Sequence, residues 1–305
     1  MSQFDVIGFG ALNMDKLFRV DRIVSAEGES FVTDFKEACG GSAANTAVGL
    51  ARLGCKVGFI GRVADDREGR MLLADLHREK VNTTGIRVVK ERRSGTVMGF
   101  VDGRGERALY IDPGVNDQVR FADMSIKYVL KARFLHLTSF VGEKPFQAQK
   151  KLVESLTAGI KLSFDPGELY ARRGRALDPM VRKMYVIMPN WRELELLTGK
   201  SSYREGADSL IRKGVETVAV KLGSKGCYVT NREESCSVES FKVKVVDTTG
   251  AGDAFCTGFL YGLISSRSLL ECGRIGNFVA SKCVMKMGAR EGLPRLKELE
   301  RGGIL

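Results

Sequence analysis

The sequence predicts an α/β protein with a mostly parallel sheet covered by helices on both faces. Three observations carry that expectation. Short runs rich in Val, Ile and Phe alternate with longer segments of helical spacing along most of the 305 residues. Two stretches break the rhythm with strand-like patterns that no helix separates. Glycine-rich turns open two of the apolar helices, the arrangement that puts ligands at the carboxyl ends of parallel strands.

Taken in order, residues 4–7 read as a first strand and 31–35, "FVTDF", as a strand outside the main rhythm. Residues 42–53 then read as a helix with Ala44, Ala47, Val48 and Ala51 inward. A strand at 57–60 and a helix at 67–79 follow, and then a hairpin of 96–101 and 107–111 joined by "DGRGE". That hairpin and 31–35 predict a small antiparallel sheet standing off the body as a lid, the alternative being an antiparallel edge of the main sheet. Strands at 133–138, 160–164, 185–188 and 217–222 alternate with helices at 146–156, 191–197 and 207–212, and two long helices, 251–264 and 269–287, close the chain.

Bulk properties narrow the function classes. Composition, 44% apolar and 28% charged, is that of a globular protein. The first ten residues lack a basic stretch followed by a long apolar one, and the run 254–264 is far shorter than a membrane span, so a cytoplasmic protein without membrane partners is expected. Seven cysteines without a CxxC pair read as free thiols, and two histidines, His77 and His136, leave few candidates for a His-rich metal site or a Ser-His-Asp triad. A net charge of +11 suggests an anionic partner. That partner is either a phosphorylated small molecule or nucleic acid; the densest basic clusters, 90–93 and 171–175, lack interleaved aromatics, so an ordinary solvated surface is the favoured reading of each over a nucleic-acid patch.

Three motifs carry chemistry. "IGFGALNMD" follows the first strand but has Asn13 where a dinucleotide fingerprint needs its third glycine. Asn13 and Asp15 at a strand end suit ligand hydroxyls, with an ordinary turn as the alternative. In "CGGSAANTAVGLARLG", Gly40 and Gly41 let backbone approach a ligand, and Asn45 lies in the first turn of the helix; a Gly-Gly turn before an Ala-rich packed helix is the competing reading. In "DTTGAGDAFCTG", Gly250, Ala251 and Gly252 lack bulk, so successive amides can converge on an anion at a helix N-terminus. Asp253 in that turn is placed to accept a proton from an attacking hydroxyl. An Asp that merely complements the helix dipole would explain the carboxylate but not the small residues before it.

"GGSAANTAVGLARLG" and "DTTGAGDAFCTGFL", with "MPNWRELELLTG" and "VKLGSKGCYV" between them, resemble in order and spacing the PfkB/ribokinase family of carbohydrate and nucleoside kinases. The resemblance implies one domain over residues 1–305 with a three-layer α/β/α ribokinase-like fold, and a discontinuous β lid from about 14–37 and 92–114. It implies ATP and Mg²⁺, with Asp253 as catalytic base and Gly250, Ala251 and Gly252 as anion hole. Asn13, Asp15, Gly40, Gly41 and Asn45 match acceptor ligands. Asn190, Lys221, Gly223, Ser224, Gly226, Asn277 and Ala280 match the nucleotide site, and Glu193 matches a Mg²⁺ residue acting through water. Asp247 and Thr249 match positions that hold K⁺ in some members. The implied activity is transfer of the γ-phosphate of ATP·Mg to a sugar hydroxyl. "HLTSFVGE" lacks the acidic sugar ligand of typical ribokinases, and "SFDPGELY" is similar to a segment of archaeal nucleoside-kinase-like members, so a nucleoside is the alternative acceptor and a sugar phosphate a further one. A ligand-binding protein that kept the fold and lost the chemistry is the alternative from another class. The uncovered lid predicts a homodimer.

Overall fold

The computed structural model describes residues 2–104, 106–156 and 159–305. Among the described residues, thirteen strands form in chain order: β1 Phe4–Phe9, β2 Asn13–Val20, β3 Val32–Gly40, β4 Val57–Ala64, β5 Asn82–Val89, β6 Gly95–Val101, β7 Arg107–Asp112, β8 Ala132–Thr138, β9 Lys161–Asp165, β10 Val186–Ile187, β11 Thr217–Lys221, β12 Cys227–Thr230 and β13 Ser235–Val238. The helices are α1 Ser42–Arg52, α2 Arg67–Arg78, α3 Ile126–Val129, α4 Glu143–Ser155, α5 Gly167–Ala171, α6 Asp178–Val181, α7 Trp191–Thr198, α8 Tyr203–Arg212, α9 Ala251–Ile264, α10 Leu269–Cys283 and α11 Leu296–Arg301.

Nine strands make the main sheet in the order β13-β12-β11-β10-β9-β8-β1-β4-β5. Every pairing from β5 to β11 is parallel, and β12 and β13 add an antiparallel edge. Alternation along the strands splits the core in two. Val6 and Ala219 point to a cluster shared with α1, α9 and α10, whereas Ile7, Val218 and Val220 point to a cluster shared with α4, α6 and α8. Each fully buried Leu, Ile or Phe in these clusters contributes roughly 1.5–3 kcal/mol of hydrophobic burial. Helices on both faces of a parallel sheet leave only its strand ends open, which is where the site lies.

The lid is a separate sheet, not an edge of the main one. Its order is β3-β2-β6-β7, with antiparallel pairs β2–β3 and β6–β7 joined by a parallel contact between β2 and β6. It begins at Asn13 and reaches Gly40, beyond the expected bounds, so both ends of β2–β3 run directly into the site. The connection between β6 and β7 includes residue 105, outside the described residues.

Candidate active site

The helix α9 starts abruptly because Gly250 is its N-cap with φ of 76°, a left-handed conformation in which a side chain would also strike Ala289. The three small residues before Asp253 are not equivalent. The Ala251 amide donates to the Thr248 carbonyl at 3.2 Å, closing the turn. Among the described residues, nothing accepts from the amides of Gly252 and Asp253, which stand free at the positive end of the helix. Asp247 holds the turn from outside: its Oδ1 accepts from the amide and hydroxyl of Thr249 at 2.9 and 2.8 Å, and its Oδ2 from the Gly288 amide at 2.7 Å.

Asp253 is half-buried, and its Oδ2 accepts from Asn45 Nδ2 at 2.8 Å. Burial pushes its carboxyl up to about 7, and the Asp165 charge adds to that; the hydrogen bonds from Asn45 and Ser42 and the Lys221 charge work the other way. A carboxyl in that range can take up a proton near neutral pH.

One side of Asp253 faces a cavity of about 720 Å³ at the strand ends. Its lining brings together Ala251, Gly252, Asp253, Asn190, Glu193, Lys221, Gly223, Ser224, Gly226, Asn277 and Ala280, residues drawn from five separate elements and turns. Phe241, Val243 and Val245 supply an apolar wall. The turn after β11 requires two glycines: Gly223 has φ of 60° and Gly226 φ of 88°, and a Cβ at Gly226 would run into the Val238 carbonyl. Lys221 Nζ donates to both oxygens of Asp165 at 2.9 Å and lies 3.3 Å from where a Gly252 side chain would begin. Burial alone would lower this ammonium, but Asp165 and Glu193 outweigh it and hold it charged.

Asn190 and Glu193 form a capping box at the start of α7. Asn190 Oδ1 accepts from the Glu193 amide at 2.9 Å, and the two Glu193 oxygens accept from Asn190 N and Nδ2 at 2.8 Å. Asn277 Nδ2 donates to the Val238 and Glu239 carbonyls at 3.0 Å, tying α10 to the end of β13.

On the other side of Asp253 lie the expected acceptor residues, outside the cavity's lining. A Cβ at Gly40 would run into the Asp15 carboxylate, so Asp15 stands hard against the backbone there. Gly41, the N-cap of α1, has φ of 102° and packs on the Ala11 carbonyl. Asn13 Oδ1 accepts from Asn116 Nδ2 at 2.9 Å. Burial raises Asp15 to about 6, and the Arg290 charge limits the rise. Arg290 also donates from Nε to Asn45 Oδ1 at 2.7 Å and from Nη2 to the Gly40 carbonyl at 3.3 Å. Asp253, Asn45, Arg290, Gly40 and Asp15 are thereby one connected group.

A family pattern described as pfkB family carbohydrate kinase matches residues 3–296. The chain belongs to the PfkB family. Among PfkB relatives, an uncharacterized sugar kinase of Archaeoglobus fulgidus is 46% identical over 81% of this chain and 99% of its own. An ATP-dependent ribose-1-phosphate kinase of Halopiger xanaduensis is 33% identical over 93% of both chains. A crystal structure of ribokinase from Thermotoga maritima superposes with a TM-score of 0.88 at 25% identity over 98% of both chains, and an Arabidopsis thaliana ribokinase complexed with ribose and ATP gives 0.83 at 25% over 99% and 98%.

Against the PfkB frame, three side chains stand in the site that sequence reasoning passed over. Asp165 ends β9 and faces the cavity; an acid at a strand's carboxyl end, followed by Pro166-Gly167, was the available signal. Asn116 fixes Asn13 from a short 3₁₀ turn, and Arg290 lies in an irregular segment after α10; neither has a periodicity to mark it. All seven cysteines are free, as expected, and no helix among the described residues is long and apolar enough to cross a membrane.

Proposed function

We propose that this PfkB kinase transfers the γ-phosphoryl group of ATP·Mg²⁺ to a hydroxyl of a sugar. One observation carries the reading: a carboxylate raised to about 7 shares the first turn of α9 with two unpartnered amides, at the boundary between a nucleotide-sized cavity and a set of hydroxyl-binding groups. Asp253 accepts the acceptor's proton, and the amides of Gly252 and Asp253, the helix dipole and Lys221 stabilise the charge on the transferring group. Gly250 and Ala251 act by shaping that turn. Gly223, Ser224 and Gly226 receive the phosphates and ribose, while Asn277 and Ala280 border the base.

Asn190 and Glu193 suit Mg²⁺ held through water, because both Glu193 oxygens already accept hydrogen bonds and retain only their outward lone pairs. Mg²⁺ held there would supply positive charge to neutralise the phosphates. Among the described residues no cluster of three His, Cys, Asp or Glu is built to strip the ion of water. Asp247 and Thr249, carboxylate and carbonyl donors, would hold K⁺ beside the same turn.

Asn13, Asp15, Gly40, Gly41 and Asn45 would hold the acceptor, and the names of the sugar-kinase and ribokinase relatives support a sugar. The ribose-1-phosphate kinase relative and the net charge of +11 favour a phosphorylated sugar as second reading. ADP release across pentoses, hexoses, nucleosides and sugar phosphates tests the choice. Turnover confined to free sugars supports the first reading, to sugar phosphates the second, and to nucleosides neither.

The lid's outer face supports a homodimer. Phe35, Phe18 and Phe100 stack with ring centroids 4.8 and 5.0 Å apart, Tyr110 continues the ladder, and Phe35 and Tyr110 remain 48% and 60% exposed. Light scattering is expected to give twice 33.5 kDa. Seven free thiols suit a reducing, cytoplasmic location.

A further inference from the structure

We infer that Arg290 is a positioning residue for the proton-accepting carboxylate, acting through Asn45: it locks the Asn45 amide so that an N–H, never the carbonyl oxygen, faces Asp253. The inference rests on reading Asp253 as the base.

The geometry is directional. Arg290 is 91% buried, and each arm of its guanidinium has a defined partner: Nε on Asn45 Oδ1 at 2.7 Å, Nη2 on the Gly40 carbonyl at 3.3 Å, and Nη1 on the Asp75 carboxylate of α2. A guanidinium has donors only, so the Asn45 atom against it must be the oxygen. The other end of the amide, 2.8 Å from Asp253 Oδ2, must then be the NH₂ group. Freed from Arg290, the amide can turn over and put its oxygen against the carboxylate, which favours the protonated form of Asp253.

The frame behind Arg290 is itself fixed. Its carbonyl accepts from Arg52 Nη1 at 2.6 Å, and Arg52 is paired with Glu79 at 2.7 Å. A buried cation balanced by Asp75 needs no contact with the site for stability alone, yet two of its three arms reach the base's partner and the Gly40 backbone beside Asp15. The other groups facing Asp253 come from different elements: Ser42 at the start of α1, Asp165 ending β9, Lys221 ending β11, and the thiols of Cys256 and Cys283 on α9 and α10. None of them contacts the Asn45 oxygen. Among the described residues, Arg290 is the side chain that bonds that oxygen, and it holds the amide in the same sense whether or not Asp253 is ionised.

The test reads Asp253 without any acceptor. Protein carrying ¹³C-labelled aspartate carboxyls is titrated by NMR, with Asp253→Asn identifying the resonance. Arg290→Met is expected to raise the Asp253 midpoint by roughly half a pH unit or more, as loss of one hydrogen bond to the charged form should. Arg290→Lys, which keeps the charge but cannot span three partners, should raise it less. Should Arg290→Met fail to fold, Arg290→Met with Asp75→Leu removes both buried charges together and should show the same rise. An unchanged midpoint in a folded Arg290 variant would overturn the inference. With an active acceptor, the acidic limb of kcat should move with the midpoint while the KM for ATP stays. A wild-type limb that ignores the Asp253 midpoint would instead overturn the reading of Asp253 as the base, leaving the NMR result to judge Arg290.

Discussion

At Gly40 one methyl group decides whether Asp15 can stand where it does, because the carboxylate lies against the glycine's own backbone. Gly40→Ala is therefore expected to raise the acceptor KM about tenfold, the worth of one good hydrogen bond, while the KM for ATP holds; steady-state kinetics with each substrate varied would check it. Lys221 and Asp165 make the opposite case, where a residue matters through its charge. Their side chains are 12% and 9% exposed. Lys221→Met leaves a buried carboxylate unpaired and should cost about 3–5 kcal/mol in urea unfolding, with much of that recovered in Lys221→Met/Asp165→Leu. At this scale the site was legible where small residues flanked a polar one. Asp253, Asn45 and Asp15 announced themselves through Gly250 to Gly252, Gly40 and Gly41. Arg290 did not, because its role depends on partners 245 and 215 residues away in sequence.

The helix pair α9 and α10 sets the position of the turn from Gly250 to Asp253. They touch at glycines: a Cβ on Gly258 would come within 2.5 Å of the Ile275 carbonyl and 2.8 Å of Gly276 Cα. Both obstacles are backbone, so Gly258→Ala should force the helices apart and cost about 1–3 kcal/mol, seen as a lower urea midpoint at unchanged slope. In the lid, Phe18 touches two ring neighbours, and Phe18→Ala should loosen the ladder, raising the acceptor KM more than that of ATP. Most elements were readable from periodicity, since buried parallel strands and amphipathic helices differ sharply in pattern. The exceptions have physical causes. Strand β2, "NMDKLFRV", has no clean alternation because most of its residues are only half-buried on either face. The run read as helical to residue 287 stops at Cys283, because the Val284 carbonyl accepts from the amides of Val246 and Asp247 at 2.8 and 3.2 Å. The last turn of the helix is given up to hold the loop that carries Asp247.

Across the whole molecule, the site stores unfavourable ionisation that should show in the pH dependence of stability. Asp253 and Asp15 are held at about 7 and 6, above an ordinary aspartate. The folded state therefore binds their protons more tightly than the unfolded chain does. Their stabilising contribution is fully present below about pH 4 and is lost as pH rises through 6 and 7. His136 opposes them: burial lowers it to about 4, so below pH 6.5 the unfolded chain binds its proton more readily. Comparing wild type with Asp253→Asn removes that background. The wild type should gain on the order of 1–2 kcal/mol relative to the variant between pH 7.5 and 5, read by urea unfolding at both values. A flat difference would contradict the raised carboxyl.

The central claim is that Asp253 takes the proton during phosphoryl transfer, and the most direct measurement is ADP release by Asp253→Asn beside wild type, with ATP binding followed calorimetrically in both. The account predicts turnover lower by about a hundredfold or more with ATP affinity retained, as for loss of a positioned general base. Wild-type turnover in the variant would contradict it.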